Sequence, residues 1–97
     1  MIVRILGEGQ FSVDADAAAK LTALDKDLDV AVRDDQGDTF SAALHAAVAL
    51  VKTAGTPLPA DEIVTAEYIL PFADATVAEV RKLLADGTIP GDSIGLP

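Results

Sequence analysis

The chain contains no cysteine and no hydrophobic run long enough to cross a bilayer. Without cysteine it can form no disulfide framework, thiol nucleophile or cysteine-ligated zinc site. The longest apolar run, residues 42–51, is interrupted by His45 and is much shorter than the ~20 residues of a membrane-spanning helix. The opening residues 1–4 lead directly into a β-strand pattern, without the features of a secretion signal. We therefore expect a cytoplasmic protein.

Basic residues are also scarce, with 7 Lys and Arg against 16 Asp and Glu and a net charge of −9. Phosphate backbones and anionic membrane surfaces are bound through clusters of Lys and Arg. The balance therefore argues against a nucleic-acid partner and against direct membrane insertion. The acidity either only keeps the protein in solution or steers it to a basic protein partner. A hydrophobic fraction of 51%, much of it alanine, additionally indicates a surface that a partner covers.

A chain of 97 residues has room for one hydrophobic core and little room for a deep enclosed pocket as well. The pattern shows neither an internal repeat nor a domain boundary. We expect residues 1–97 to form a single domain in which residues 88–97 are an extended tail, because that stretch has no helical or strand periodicity.

The N-terminal residues predict a β-hairpin, around which we expect the rest of the chain to be organised. Apolar residues occupy 2–6 and resume at Phe11 and Val13, and between them lies the loop Gly7-Glu8-Gly9. Glycine adopts the positive φ angles of tight turns without a steric penalty. An isolated hairpin is only marginally stable in water, so the remaining residues must cover one of its faces.

Two amphipathic helices are predicted next, over about residues 15–34 and 39–54. The pattern places Asp25 and Asp29 on the solvent side of the first helix. Gly37 is expected to take a left-handed conformation that ends the first helix, and so short a link makes the two helices antiparallel neighbours. The apolar stripe of the first helix consists of Leu21, Leu24, Leu28 and Val32.

The C-terminal part predicts a short strand and a third helix. The prolines within residues 56–60 favour a rigid extended connector, and residues 67–70 are expected to add a strand to the hairpin. Thr76 and Glu79 match a capping box, which predicts a helix over residues 77–85. The fold class is therefore α+β in the order β-β-α-α-β-α, with a small antiparallel sheet packed on an antiparallel helical hairpin and closed by a short third helix.

No residue pattern predicts catalysis, a cofactor or a metal ion. The Gly7 and Gly9 pair lacks the third glycine and the helix of a dinucleotide site, and the alternating Asp25, Asp27 and Asp29 lack the glycine and the terminal acid of a calcium loop. The single histidine, His45, is expected at the boundary of the core. Asp61 and Glu62 beside Tyr68 could form an acid–base pair, but capping of a turn and packing are the favoured roles. We expect a protein that is not an enzyme.

Three blocks of the chain together resemble one protein family. They are residues 1–11 (MIVRILGEGQF), 55–64 (GTPLPADEIV) and 69–84 (ILPFADATVAEVRKLL), and they look like PspAA, small proteins associated with phage shock protein A in actinobacteria and related lineages. Phe11 stands where the family pattern would have tyrosine, and Phe72 where it would have a second proline. The resemblance implies a partner protein of the envelope-stress response that works with a coiled-coil, membrane-associated effector. It carries over no catalytic motif and no binding residues.

The leading hypothesis is thus a non-enzymatic adaptor or regulatory partner of phage shock protein A, peripheral to the membrane through that partner at most. One alternative is a small-molecule-binding regulatory domain with an enclosed apolar pocket between hairpin and helices. Another is a self-assembling, antitoxin-like homodimer formed through a sheet edge or the alanine-rich helix. The residues proposed for the partner surface are Arg4, Glu8, Gln10, Asp61 and Glu62.

Overall fold

A computed structural model describes residues 1–59, 61–62 and 64–87 of the chain. The expected tail at 88–97 lies outside the described residues. The elements, in chain order, are β1 (Ile2–Ile5), β2 (Gly9–Ser12), α1 (Ala15–Arg33), α2 (Gly37–Ala54), β3 (Thr56–Leu58), β4 (Tyr68–Leu70) and α3 (Val77–Ala85).

The N-terminal hairpin forms as predicted. β1 and β2 pair antiparallel, with Val3 opposite Phe11. The turn is closed by the Glu8 amide, which donates to the carbonyl of Ile5 at 3.0 Å. Gly7, at a φ of 83°, supplies the positive backbone angle that the turn requires.

The sheet has four strands in the order β3-β2-β1-β4, so β1 is an inner strand. β4 joins the hairpin as predicted, but it runs parallel to β1, with Ile69 opposite Arg4. The predicted purely antiparallel sheet is therefore wrong in this detail, since a long connection rather than a tight turn leads into β4. The predicted connector also contains an additional edge strand, β3, which pairs with β2. An edge position tolerates Pro57, which has no amide to donate.

One face of the sheet packs against the helices and forms the core, which confirms the α+β architecture. Val3 and Ile5 from β1 and Leu70 from β4 are completely buried there. Between α1 and α2, small residues allow close approach of the backbones. The buried apolar side chains of these two helices are Ala17, Leu21, Leu28, Ala31, Phe40, Ala43, Leu44, Ala47, Val48 and Val51.

The link between α1 and α2 differs from the prediction. The positive φ, of 55°, belongs to Asp35, whereas Gly37 is the first residue of α2. Aspartate can occupy this region singly because its short side chain can hydrogen-bond locally. Arg81 of α3 donates to the carbonyl of Val32 and lies 3.8 Å from the Asp35 carboxylate. This contact holds α3 against the end of α1.

The prediction that Asp25 and Asp29 lie on the solvent side of α1 is wrong. Asp29 is buried and pairs with Arg33, and the half-buried Asp25 accepts a hydrogen bond from the Tyr68 hydroxyl. Residues four apart share a helix face, so Asp25 follows the buried Leu21 and Asp29 follows Asp25 along the same side. β4 and α3 pack at this flank of the apolar stripe.

The capping box of α3 is confirmed. The Glu79 amide donates to Thr76 Oγ1 at 3.2 Å, and the Thr76 amide donates to Glu79 Oε1 at 3.3 Å. Two backbone amides at the helix start are thereby satisfied by side chains. α3 accordingly begins at Val77 and ends at Ala85, as the sequence predicts.

Tyr68→Phe tests the contact between β4 and α1. Burial, and then the hydrogen bond to the Asp25 carboxylate, raises the pKa of Tyr68 above its ordinary value. The unfolded chain therefore releases this proton near pH ~10, before the folded chain does. Above that pH the free energy of unfolding of the wild-type protein should fall by up to about 1.4 kcal/mol per pH unit. Below that pH the contribution of Tyr68 to this free energy is constant.

Urea unfolding of both proteins between about pH 8 and about pH 11 measures this difference. At the lower pH we expect Tyr68→Phe to be less stable by roughly 1.5 kcal/mol, the value of a hydrogen bond to a charged group. The difference should shrink as the pH rises, while lysine deprotonation affects both proteins equally. A difference that stays constant across the range would contradict the buried tyrosine–carboxylate contact.

Candidate partner-binding surface

Arg4 and Gln10 lie on the sheet face that points away from the helices. They are opposite each other in the register of β1 and β2. Arg4 lies between the core residues Val3 and Ile5, and Gln10 precedes the core residue Phe11. Arg4 Nη2 donates to Gln10 Oε1 at 3.0 Å. Gln10 is only 9% exposed, whereas Arg4 is exposed. A buried amide oxygen thus orients a guanidinium that still faces solvent.

The Arg4 guanidinium makes no salt bridge with any carboxylate among the described residues, although the protein carries a net charge of −9. By contrast, Arg33 and Arg81 are both paired with aspartates of the α1 region. Guanidinium has five N–H donors in a planar fork that matches a carboxylate. Arg4 therefore presents oriented donors that no described carboxylate occupies.

Glu8, at the hairpin turn, is held by the protein itself. Lys52 Nζ of α2 lies 2.6 Å from Glu8 Oε1. Both side chains are partly exposed, and such a pair adds little to the free energy of unfolding. Its effect is positional, because it ties the hairpin turn to α2.

Phe72, which sequence reasoning did not place at the site, packs on the hairpin turn. Its side chain is 45% exposed. An ideal Cβ built on Gly7 would lie 3.0 Å from Phe72 Cδ1, so the ring sits directly against the glycine. The sequence signal is weak, since Phe72 lies outside any strand or helix periodicity and follows a proline that ends β4.

Two open depressions adjoin this contact. The first, of about 370 Å³, is formed by the hairpin and includes Arg4, Leu6 and Gln10 in its lining. The second, of about 340 Å³, lies between Phe72 and α3. Because Gly7 lines the first depression and touches Phe72 in the second, they form one continuous surface. We call it the hairpin-end surface, and its lining consists of Arg4, Ile5, Leu6, Gly7, Glu8, Gly9, Gln10, Phe72, Glu79, Lys82, Leu83 and Asp86.

Asp61 and Glu62 are exposed and lie on a separate turn. The Glu62 amide donates to the carbonyl of Pro59 at 3.0 Å. This turn follows β3, whose last residue Leu58 pairs with Gln10, so it begins at the same end of the sheet as the hairpin turn. Among the described residues no hydrogen bond or salt bridge joins either acid to Arg4.

The hairpin offers no free edge to a partner strand. β1 is paired on both sides by β2 and β4, and β2 is paired on both sides by β1 and β3. Addition of a strand at the hairpin, which would join a partner to the sheet by backbone hydrogen bonds, is therefore blocked. Recognition by the hairpin itself must therefore use side chains, and the edges of the sheet are β3 and β4.

The described residues contain no cluster of three His, Asp or Glu side chains that could hold a metal ion.

His45 is exposed, contrary to the expected boundary position, and lines an open groove of about 390 Å³ along α2. The depressions described above are also open, so they do not support the hypothesis of an enclosed ligand pocket. In the described part of the chain, no helix combines the length and the apolar character that crossing a membrane demands.

Comparison with known proteins gives one match. A family model described as PspA-Associated protein (PspAA) matches residues 1–91 of the chain. No curated protein and no solved structure matches. The matched range includes every described strand and helix and the whole hairpin-end surface.

Gly7→Ala tests the contact between the turn and Phe72, with Gly9→Ala as its matched control. Both glycines have a positive φ, which costs other residues about 1–2 kcal/mol. Only the methyl at position 7 meets the Phe72 ring, since a Cβ on Gly9 has no atom within 4 Å. We expect both variants to be less stable in urea unfolding, and only Gly7→Ala to shift the ring resonances of Phe72 in NMR spectra. Unchanged ring resonances in Gly7→Ala would contradict the packing.

Proposed function

The chain belongs to the PspA-associated protein family, and from this premise we propose that it is a non-enzymatic adaptor for a phage shock protein A-like coiled-coil effector. In this role it binds the effector and modulates its assembly or its response to envelope stress. The family match over residues 1–91 is the observation that carries the proposal. The adaptor acts in the cytoplasm and reaches the membrane only through the effector.

The geometry supports a contact through the outer side of the hairpin. Arg4 is exposed, oriented by Gln10 and unpaired with any described carboxylate. Arginine is enriched among the residues that dominate binding energy at protein interfaces. We therefore place Arg4 and Gln10 within the contact and Glu8 beside it. Asp61 and Glu62, on the turn at the same end of the sheet, form its outer margin.

Co-purification of the tagged chain with the effector tests the proposal. An unrelated protein of similar size and net charge serves as the control for electrostatic capture, and chemical cross-linking retains a transient complex. We expect the effector to be enriched with the wild-type chain only. Equal recovery of the effector with the control protein would contradict the adaptor role.

Arg4→Glu tests the contact in the same assay, with Lys20→Glu as its matched control. Lys20 is an exposed base of α1 and also lacks a salt bridge to the described residues, so both substitutions change the net charge equally. We expect Arg4→Glu to weaken binding about 30-fold, the loss typical of an interface hot spot, and Lys20→Glu to leave it nearly unchanged. Equal effects of the two would show that only the total charge matters.

A further inference from the structure

A second open surface belongs to the helical pair alone. A groove of about 520 Å³ runs between α1 and α2, and it is larger than either depression at the hairpin end. It shares no residue with the hairpin-end surface or with the described strands. We call it the helix groove, and its lining consists of Leu24, Asp27, Asp38, Thr39, Ala42, Ala43 and Ala46.

The floor of the helix groove is apolar and is made mostly of small side chains. Leu24 is half-buried and Ala43 is buried, whereas Ala42 and Ala46 are exposed. The side chains at a contact set the distance between packed helices, which is about 8–10 Å. Alanines at the contact therefore allow a further helix to come close to α2. Because helices pack by placing the ridge of one into the groove of another, the shape of this floor suits a helical partner.

The charged groups that line the helix groove are both acidic. Asp27 belongs to α1 and Asp38 to α2, and neither forms a salt bridge with a described base. None of the described residues in the lining is Lys, Arg or His. Beyond the lining, on the same side of α1, Lys20 lies about one turn before Leu24 and Asp34 about two turns after Asp27. Acids therefore outnumber bases along the whole of this side.

We infer that the helix groove binds a basic amphipathic helix of the effector, whose apolar side chains pack on the alanines while its Lys or Arg residues pair with Asp27 and Asp38. The inference rests on the proposed function and adds a second contact to the one at the hairpin. A coiled-coil effector presents helices, and residues three or four apart on a helix can place bases on either side of an apolar side chain. An acidic helix would instead bring like charges together, which is repulsive at an interface.

The charge of the whole chain selects the same partner as the helix groove does. The net charge of −9 attracts a basic segment from a distance and repels another copy of the chain. In a two-fold symmetric dimer formed through this groove, each copy presents the same patch to the other. Asp27 and Asp38 of one copy would then meet the same acids of its partner. Charge therefore disfavours a homodimer at this face.

Calorimetric titration of purified effector with the full chain tests the floor of the groove. Phenylalanine at position 46 would fill the groove, so we expect Ala46→Phe to raise the Kd at least about 10-fold. Ala19→Phe, at an exposed alanine of α1 outside the lining, is the matched control and should leave the Kd nearly unchanged. Both variants lose the same helix propensity, and circular dichroism verifies their fold. Equal Kd values for the two variants would overturn the inference.

Charge reversal tests the polarity of the partner helix. Asp27→Lys should weaken binding about 10-fold. Asp74→Lys changes the net charge equally and should have little effect, because Asp74 is an exposed acid before α3 that lines neither surface. If Asp27→Lys tightens binding, the partner helix is acidic and the inference is wrong.

A synthetic peptide tests the chemistry of the groove without the effector. The peptide has about 18 residues, with leucines three and four residues apart and lysines at most other positions. Its control has glutamate in place of every lysine. In amide chemical-shift mapping on the full chain, the basic peptide should give its largest shifts at Leu24, Ala43 and Ala46. Shifts concentrated elsewhere, or equal shifts with the acidic peptide, would contradict the assignment.

The outcomes separate this inference from the proposed function. If the wild-type chain binds the effector and Ala46→Phe matches Ala19→Phe, the helix groove is not the contact while the adaptor role stands. If the effector does not bind the wild-type chain, both fail. If light scattering of the chain alone shows a dimer that Ala46→Phe converts to a monomer, a second copy occupies the groove, which also overturns the inference.

Discussion

The parallel pairing of β4 with β1 determines where the C-terminal part of the chain lies. It inserts β1 between two neighbours and brings Tyr68 onto the flank of α1, where its hydroxyl donates to Asp25. The pairing of β4 with β1 ends beside the hairpin turn. Phe72, two residues after β4, therefore lies against Gly7. α3 then packs back against α1. Without this pairing, the hairpin and the helical pair would still have local reasons to form, but the hairpin-end surface would not exist.

Features set by neighbouring residues were predictable from the sequence. The glycines of the turn, the capping box of Thr76 and Glu79, and the apolar stripes of α1 and α2 are all confirmed, since each depends on contacts within a few residues. The direction of β4 and the existence of β3 depend on pairing between distant segments, which short-range patterns do not encode. The helix stop shows the same limit. Glycine is the residue type favoured for a positive φ at the end of a helix, yet Asp35 rather than Gly37 adopts it.

The candidate site was predictable only in part, for a similar reason. Arg4 was proposed for the partner surface, but nothing in the sequence indicated that a buried amide would orient it. Glu8 was also proposed for the partner surface, but its contact with Lys52 was not predictable, because Lys52 lies 44 residues away. Phe72 was noted only as a departure from the family pattern. Its position on the turn follows from two distant facts, the register of β4 and the absence of a side chain at Gly7.

Net charge and local charge serve different purposes in this protein. An excess of nine negative charges acts over a distance of about a Debye length, roughly 8–10 Å at physiological salt, and opposes association between copies of the chain. Contacts at an interface are shorter than this distance and are set by individual groups. At the hairpin-end surface Arg4 and Lys82 lie among Glu8, Glu79 and Asp86, and Glu8 is paired with Lys52. Charges of both signs therefore surround the exposed Phe72 ring, and total charge is a poor guide to the partner that such a surface selects.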